Sequence, residues 1–237
     1  MNKIALVTGA NKGIGFETAR QLLQLGYTVL VGARDATKGR QATSDLGNGA
    51  HLLQIDMSQS SSFADVAAHI EQQFGRLDVL VNNAGVGLDW GVSPSEVTVE
   101  HLRETYETNV FGVIALTQAL LPLLKKSDAG RIVNLTSNIG SLTNQSTSRE
   151  LKDYSAAVAY CSSKAALNMF TVLLAKELRE ANVKVNSAHP GWVQTDMGGE
   201  QAPMKIEDGA KTSVFLATLP EDGPTGQFFH REKELPW

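Results

Sequence analysis

Of the four tyrosines in this chain, Tyr27, Tyr106, Tyr154 and Tyr160, only Tyr160 has a cation four residues on, in Tyr160-Cys161-Ser162-Ser163-Lys164. On a helix that spacing puts the phenol and the Lys164 ammonium on one face. A free phenol, with a pKa of about 10, is a poor base at neutral pH. A neighbouring ammonium stabilises the phenolate and is expected to lower that value. Such a phenol can give a proton to a carbonyl oxygen during a reduction, or take one from an alcohol in reverse. Alone, the spacing more often marks a half-buried tyrosine beside a snorkelling lysine. Its meaning depends on what the rest of the chain places beside it.

The second chemical feature lies near the start, in Thr8-Gly9-Ala10-Asn11-Lys12-Gly13-Ile14-Gly15. Glycines let a backbone turn tightly and approach a phosphate with no Cβ in the way. A helix that opens there offers unpaired N–H groups to an anion. The spacing is neither the common G-x-G-x-x-G nor a P-loop, and glycine clusters also occur in ordinary strand–helix turns. Its place after the first strand and before the first helix favours a dinucleotide phosphate site. The second strand ends in Gly32-Ala33-Arg34-Asp35. An acidic residue there suits the ribose hydroxyls of NAD, and an arginine suits the 2′-phosphate of NADP. Both are present, so spacing alone leaves the choice open; Lys12, a second cation, tips the reading towards NADP.

The elements that must carry these residues alternate. Ile4–Thr8 reads as a strand, Gly13–Leu25 as a helix closed by Gly26 at its C′ position. Strands follow at Thr28–Gly32, Leu52–Ile55, Leu77–Val81, Ile132–Leu135, Val183–Ser187 and Gln227–Phe229. Helices are expected over 36–46, Ser61–Phe74 with Ser58 as a cap, 99–124 behind Thr98, Ala156–Glu180 and Ile206–Leu216. The strands are continuous apolar runs, as in a sheet covered on both faces. Strand–helix alternation implies a parallel, doubly wound α/β sheet in a single domain.

Composition bounds the partners. The chain has 237 residues, 42% hydrophobic, with net charge −4 and one cysteine, Cys161. No basic face suggests nucleic acid, and the histidines lack metal-ligand spacing. No intrachain disulfide is possible, and no secretory leader or membrane-spanning run is read, so a cytoplasmic protein without membrane partners is expected.

With these residues in view, the chain resembles the short-chain dehydrogenase/reductase family over essentially its full length. The glycine motif, Asn82-Asn83-Ala84-Gly85, Asn109 in Glu107-Thr108-Asn109-Val110-Phe111-Gly112, Ser137, Tyr160 with Lys164, and Pro190-Gly191 fall in the family's order. Pro190-Gly191-Trp192-Val193-Gln194-Thr195-Asp196-Met197-Gly198 looks most like the NADPH-dependent carbonyl reductases. The resemblance implies a Rossmann-like fold and NADPH/NADP+ as cofactor, with NADH/NAD+ second. It implies Tyr160 as acid/base, Ser137 on the substrate oxygen, Lys164 on the nicotinamide ribose and Asn109 organising a water in a proton relay. Gly9, Asn11, Lys12, Gly13, Ile14, Gly15, Arg34, Asp56, Met57, Asn83, Ala84, Gly85, Tyr160, Lys164, Pro190, Gly191, Val193 and Thr195 would line the cofactor. No metal is implied.

Twenty-two residues separate Ser137 from Tyr160, more than the family commonly has and fewer than the carbonyl reductases insert. The polar stretch Thr143–Asp153 would cover the substrate mouth, and monomer and homo-oligomer both stay open. Pocket walls are expected from 86–96, 138–155 and 192–206, with Trp90 and Trp192 either an aromatic wall or packing residues. The leading expectation is reduction of aldehyde or ketone carbonyls. The alternatives are a relative acting on a defined 3-oxoacyl thioester or hydroxysteroid, and a catalytically silent dinucleotide sensor.

Overall fold

The apolar runs are strands whose alternate residues feed two separate cores. The computed structural model describes residues 2–147 and 157–237. Its strands are β1 (Ile4–Thr8), β2 (Thr28–Ala33), β3 (Ala50–Gln54), β4 (Val79–Asn82), β5 (Gly130–Leu135), β6 (Val183–His189), β7 (Phe228–His230) and β8 (Lys233–Glu234). They form one sheet in the order β3-β2-β1-β4-β5-β6-β7-β8, parallel but for the final β7–β8 pair. Leu6, Leu30, Leu80, Ile132 and Val185 point to one face, against α3 (Phe63–Phe74), α5 (Gly112–Leu124) and α7 (Val158–Glu177). Their neighbours Ala5, Val7, Val29, Val31, Val81 and Val133 point to the other, against α1 (Gly13–Gln24), α2 (Ala36–Leu46) and α8 (Ile206–Ala217). This is the two-faced burial that continuous apolar strands require.

The chain winds outward from β1 to β3, then returns to β4 on the other side of β1. That reversal makes a crevice beyond the carboxyl ends of β1 and β4, where open α/β sheets bind ligands. The glycine loop, Asn82–Gly85 and Ser137 all follow strands that end on this side.

Three expectations change. Ser58 is not a helix cap: its N–H and hydroxyl both donate to Asp56 Oδ1, at 3.0 and 2.8 Å. Such a local side-chain turn competes with helix capping, and α3 starts later, after a 3₁₀ turn at Ser60–Ser62. The helix expected over 99–124 is α4 (Val99–Tyr106) and α5 joined by a π turn at Glu107–Phe111. A Cβ on Gly112 would stand 2.1 Å from the Met57 carbonyl oxygen, so the wider turn brings the backbone hard against the end of β3. Finally, the helical runs Val99–Leu124 and Val158–Glu177 are each long and apolar enough to cross a bilayer, but half of each is buried, against the sheet. The short α6 (Leu142–Thr147) holds the first part of the expected polar insertion. The rest of Thr143–Asp153, Tyr154 and the proposed helix start at Ala156 lie outside the described residues.

Candidate active site

Gly9 and Gly13 turn with φ of +64° and +57°, which lets the loop fold back over the end of β1. Gly15 packs on it so closely that a Cβ would lie 2.6 Å from the Gly9 carbonyl oxygen. The segment after β4 fastens the loop from below. Asn83 Nδ2 donates to the carbonyls of Thr8 (2.7 Å) and Gly9 (3.3 Å), while the Thr8 hydroxyl accepts from the N–H groups of Asn83 and Ala84, both at 3.0 Å. Asn11 and Ile14 belong to the same turn, and no side chain caps the first turn of α1. The result is a rigid glycine cradle with helix amides to offer an anion.

At the end of β2 the two competing residues separate. Asp35 Oδ1 accepts from the N–H groups of Thr37 (2.8 Å) and Lys38 (3.1 Å), which caps α2. Those backbone hydrogen bonds, Lys38 first, hold its carboxyl below the usual range. Arg34 is exposed. Asp56 lies two residues beyond β3, and Met57 is buried in the core. Lys12 is ion-paired to Asp196, so its charge is already shared with the segment after β6. Thr195 comes from that same segment, and its methyl faces Gly13.

Ser137, Tyr160 and Lys164 converge beyond the end of β5. Ser137 opens the 3₁₀ turn Asn138–Gly140, which lies directly on α7: a Cβ on Gly140 would be 2.6 Å from Lys164 Cβ. Tyr160 is 9% exposed and Lys164 3%. The Lys164 ammonium donates to the Leu135 carbonyl at 2.9 Å and stands 5.5 Å from the centre of the Tyr160 ring. Burial pulls the Lys164 pKa down to about 8. Burial foremost, then Cys161, push the Tyr160 phenol above its ordinary range, and the Ser137 hydroxyl acts the other way. The depressed tyrosine expected from the sequence is therefore not found. Taking the phenolate out of water is the largest influence on it, and the Lys164 ammonium spends a hydrogen bond on the Leu135 carbonyl.

Asn109 sits in the π turn with its carboxamide already engaged. Oδ1 accepts from Val86 N–H at 2.9 Å; Nδ2 donates to the Val86 carbonyl at 2.8 Å and the Ser163 hydroxyl at 3.0 Å. It thus clamps the segment after β4 to α7, with Gly85 wedged between Asn109 and Lys164. Pro190, Gly191 and the buried Val193 follow β6. Trp90 lays its ring 4.9 Å from that of Tyr160, and Trp192 donates its indole N–H to the Gly198 carbonyl at 2.7 Å. Trp90 thus packs on the Tyr160 ring, and Trp192 ties the 192–198 segment together.

Two residues went unread in the sequence. Asp89 is fully buried and holds the start of α7. The signal was the lack of any capping residue before that helix. His189, at the end of β6, accepts on Nδ1 from the N–H groups of Asn138 and Gly191, both at 3.4 Å. Burial first, then His230, push its pKa down to about 3, so it is a neutral acceptor between the Ser137 turn and the Pro190-Gly191 turn.

The geometry has close counterparts. Residues 3–206 match the short chain dehydrogenase family model. The short-chain dehydrogenase anuI of Penicillium roqueforti is 38% identical over 226 residues, covering 91% of this chain and 88% of that one. Carbonyl reductase (NADPH) 1 of Rattus norvegicus is 34% identical over 276 residues, covering 99% and 98%. Among solved structures, an NADPH-bound carbonyl reductase from chicken fatty liver superposes with a TM-score of 0.88 at 29% identity, over 100% of this chain and 99% of that one.

Proposed function

The chain belongs to the short-chain dehydrogenase family, and from that premise we propose that it reduces aldehyde and ketone carbonyls with NADPH, Tyr160 giving the proton. One observation carries this reading: beside the sheet's ligand crevice the Lys164 ammonium stands 5.5 Å from the centre of the Tyr160 ring, and the turn that Ser137 opens lies directly on the same helix. The cradle fits a dinucleotide phosphate, since no side chain caps the first turn of α1 and its leading amides are left to an anion. Gly9, Asn11, Gly13, Ile14 and Gly15 would hold the pyrophosphate. Asp56, Met57, Asn83, Ala84 and Gly85 would line the adenosine side, and Pro190, Gly191, Val193 and Thr195 the nicotinamide side. When bound, the dinucleotide supplies the hydride.

The protein's own part is orientation and a proton. Ser137 donates a hydrogen bond to the substrate oxygen, stabilising charge as it develops. Burial keeps the Tyr160 phenol protonated across neutral pH, which is the state a reductive donor needs. Its proton passes to the same oxygen, and the Lys164 ammonium stabilises the phenolate left behind. Arg34 supports NADPH over NADH because it is exposed at the end of β2, whereas Asp35 is committed to capping α2. The relatives named for NADPH point the same way.

The test is loss of NADPH absorbance against aldehydes, ketones, quinones and oxoacyl esters, with NADH in parallel. Turnover of at least one carbonyl class, faster with NADPH, is expected; no turnover, or equal use of NADH, contradicts the reading. Lys164 also sets a pH limit. Its pKa of about 8 means that the ammonium is lost as pH rises through that value. Accordingly kcat/KM for NADPH should be level near neutrality and fall above pH 8. In Lys164→Arg, slower but permanently charged, that alkaline limb should disappear. A parent profile flat to pH 10, or the same limb in the arginine variant, removes Lys164 from this role.

A further inference from the structure

We propose that Asp89 is a positioning residue that sets where the Tyr160 phenol stands, an inference that rests on Tyr160 being the proton donor. Helix α7 has no cap of its own. Ala157 holds the N-cap position without a side-chain hydrogen bond, and no acidic residue lies in the first turn. A buried helix start needs acceptors for its leading amides. Asp89 brings them from the segment after β4, 70 residues away along the chain. Its Oδ2 accepts from Ala159 N–H at 2.6 Å and its Oδ1 from Tyr160 N–H at 3.3 Å. These are the second and third amides of the helix, which an N-cap side chain would otherwise take. The carboxylate is 0% exposed, and the positive end of the helix dipole offsets its charge.

The next residue completes the hold. The Trp90 ring lies against that of Tyr160, 4.9 Å between centroids and tilted by 43°. Trp90 is itself seated on Gly87, where a Cβ would come within 2.7 Å of the indole nitrogen. One dipeptide thus grips Tyr160 by its backbone amide and by its ring. Lys164, one turn further on, is anchored separately through the Leu135 carbonyl. Loss of the Asp89 carboxylate frees the first turn of α7 while leaving Lys164 tied. The phenol then shifts relative to Ser137, and proton transfer is sensitive to displacements of about an ångström.

The experiment is a double-mutant cycle of Asp89→Ala and Tyr160→Phe, read by single-turnover NADPH oxidation and by NADPH affinity from fluorescence. Asp89→Ala is expected to slow the single turnover about 20-fold or more, with NADPH affinity within about threefold of the parent. In the Tyr160→Phe background the same change should alter the residual rate less than about twofold, since no hydroxyl remains to be positioned. Asp89→Asn keeps one acceptor oxygen and should recover to within about fivefold of the parent. Equal proportional losses in both backgrounds, or a parent-like rate in Asp89→Ala, overturn the proposal. If Asp89→Ala does not fold, the cycle is run with Asp89→Asn. A loss confined to the background that has the Tyr160 hydroxyl then supports the proposal, and equal losses overturn it. Full turnover in Tyr160→Phe alone would instead sink the proton-donor reading.

Discussion

Tyr160→Phe should bind NADPH as tightly as the parent and lose about a thousandfold in reductase turnover. The change removes one oxygen and leaves the ring, so packing against Trp90, 4.9 Å away, is retained. The stability cost should be small, since the ring and its packing stay in place. Chemistry suffers far more. Without the phenol, the substrate oxygen gains charge as hydride arrives and has only the Ser137 hydroxyl beside it. Ser137 can stabilise that charge, but an aliphatic hydroxyl is a far weaker acid than a phenol. Steady-state kcat, with NADPH affinity measured by fluorescence, separates the two effects. A fall in affinity with kcat intact would place Tyr160 in binding instead.

Arg34→Asp should lower the NADPH-to-NADH ratio of kcat/KM by about a hundredfold. The guanidinium can pair with a doubly charged 2′-phosphate through charge-assisted hydrogen bonds, and the replacement turns that attraction into repulsion. The new carboxylate can accept from ribose hydroxyls, so activity with NADH should rise. Helix α2 should persist, because Asp35 still receives the amides of Thr37 and Lys38. An unchanged ratio would mean that Arg34 does not read the phosphate.

The sheet was legible in the sequence because each buried strand is a run of apolar residues between glycines and polar turns. β1 matches its expected bounds and the other expected strands differ only at their ends, while the two-residue β8 was not read at all. The glycine motif and Tyr160 with Lys164 could be read because their chemistry depends on local spacing, which a helix or a tight turn converts directly into geometry. Long-range effects could not be read that way. The π turn at Glu107–Phe111 sits where Gly112 meets the Met57 carbonyl, a contact between distant stretches of the chain. Asp89 caps a helix far along the chain, so nothing beside it in sequence announces that role. The Lys12–Asp196 pair links two loops that meet only after folding. The direction of the Tyr160 shift depends on burial, and a one-turn spacing to Lys164 carries no information about desolvation.

The most direct measurement is single-turnover NADPH oxidation by the parent and by Tyr160→Phe, each run in H2O and in D2O. The parent should be slower in D2O, because the phenolic proton moves as the carbonyl is reduced, and the phenylalanine variant should react at a small fraction of the parent rate with a different solvent isotope effect. Parent-like oxidation by the variant, with the same response to D2O, would show that the proton comes from elsewhere.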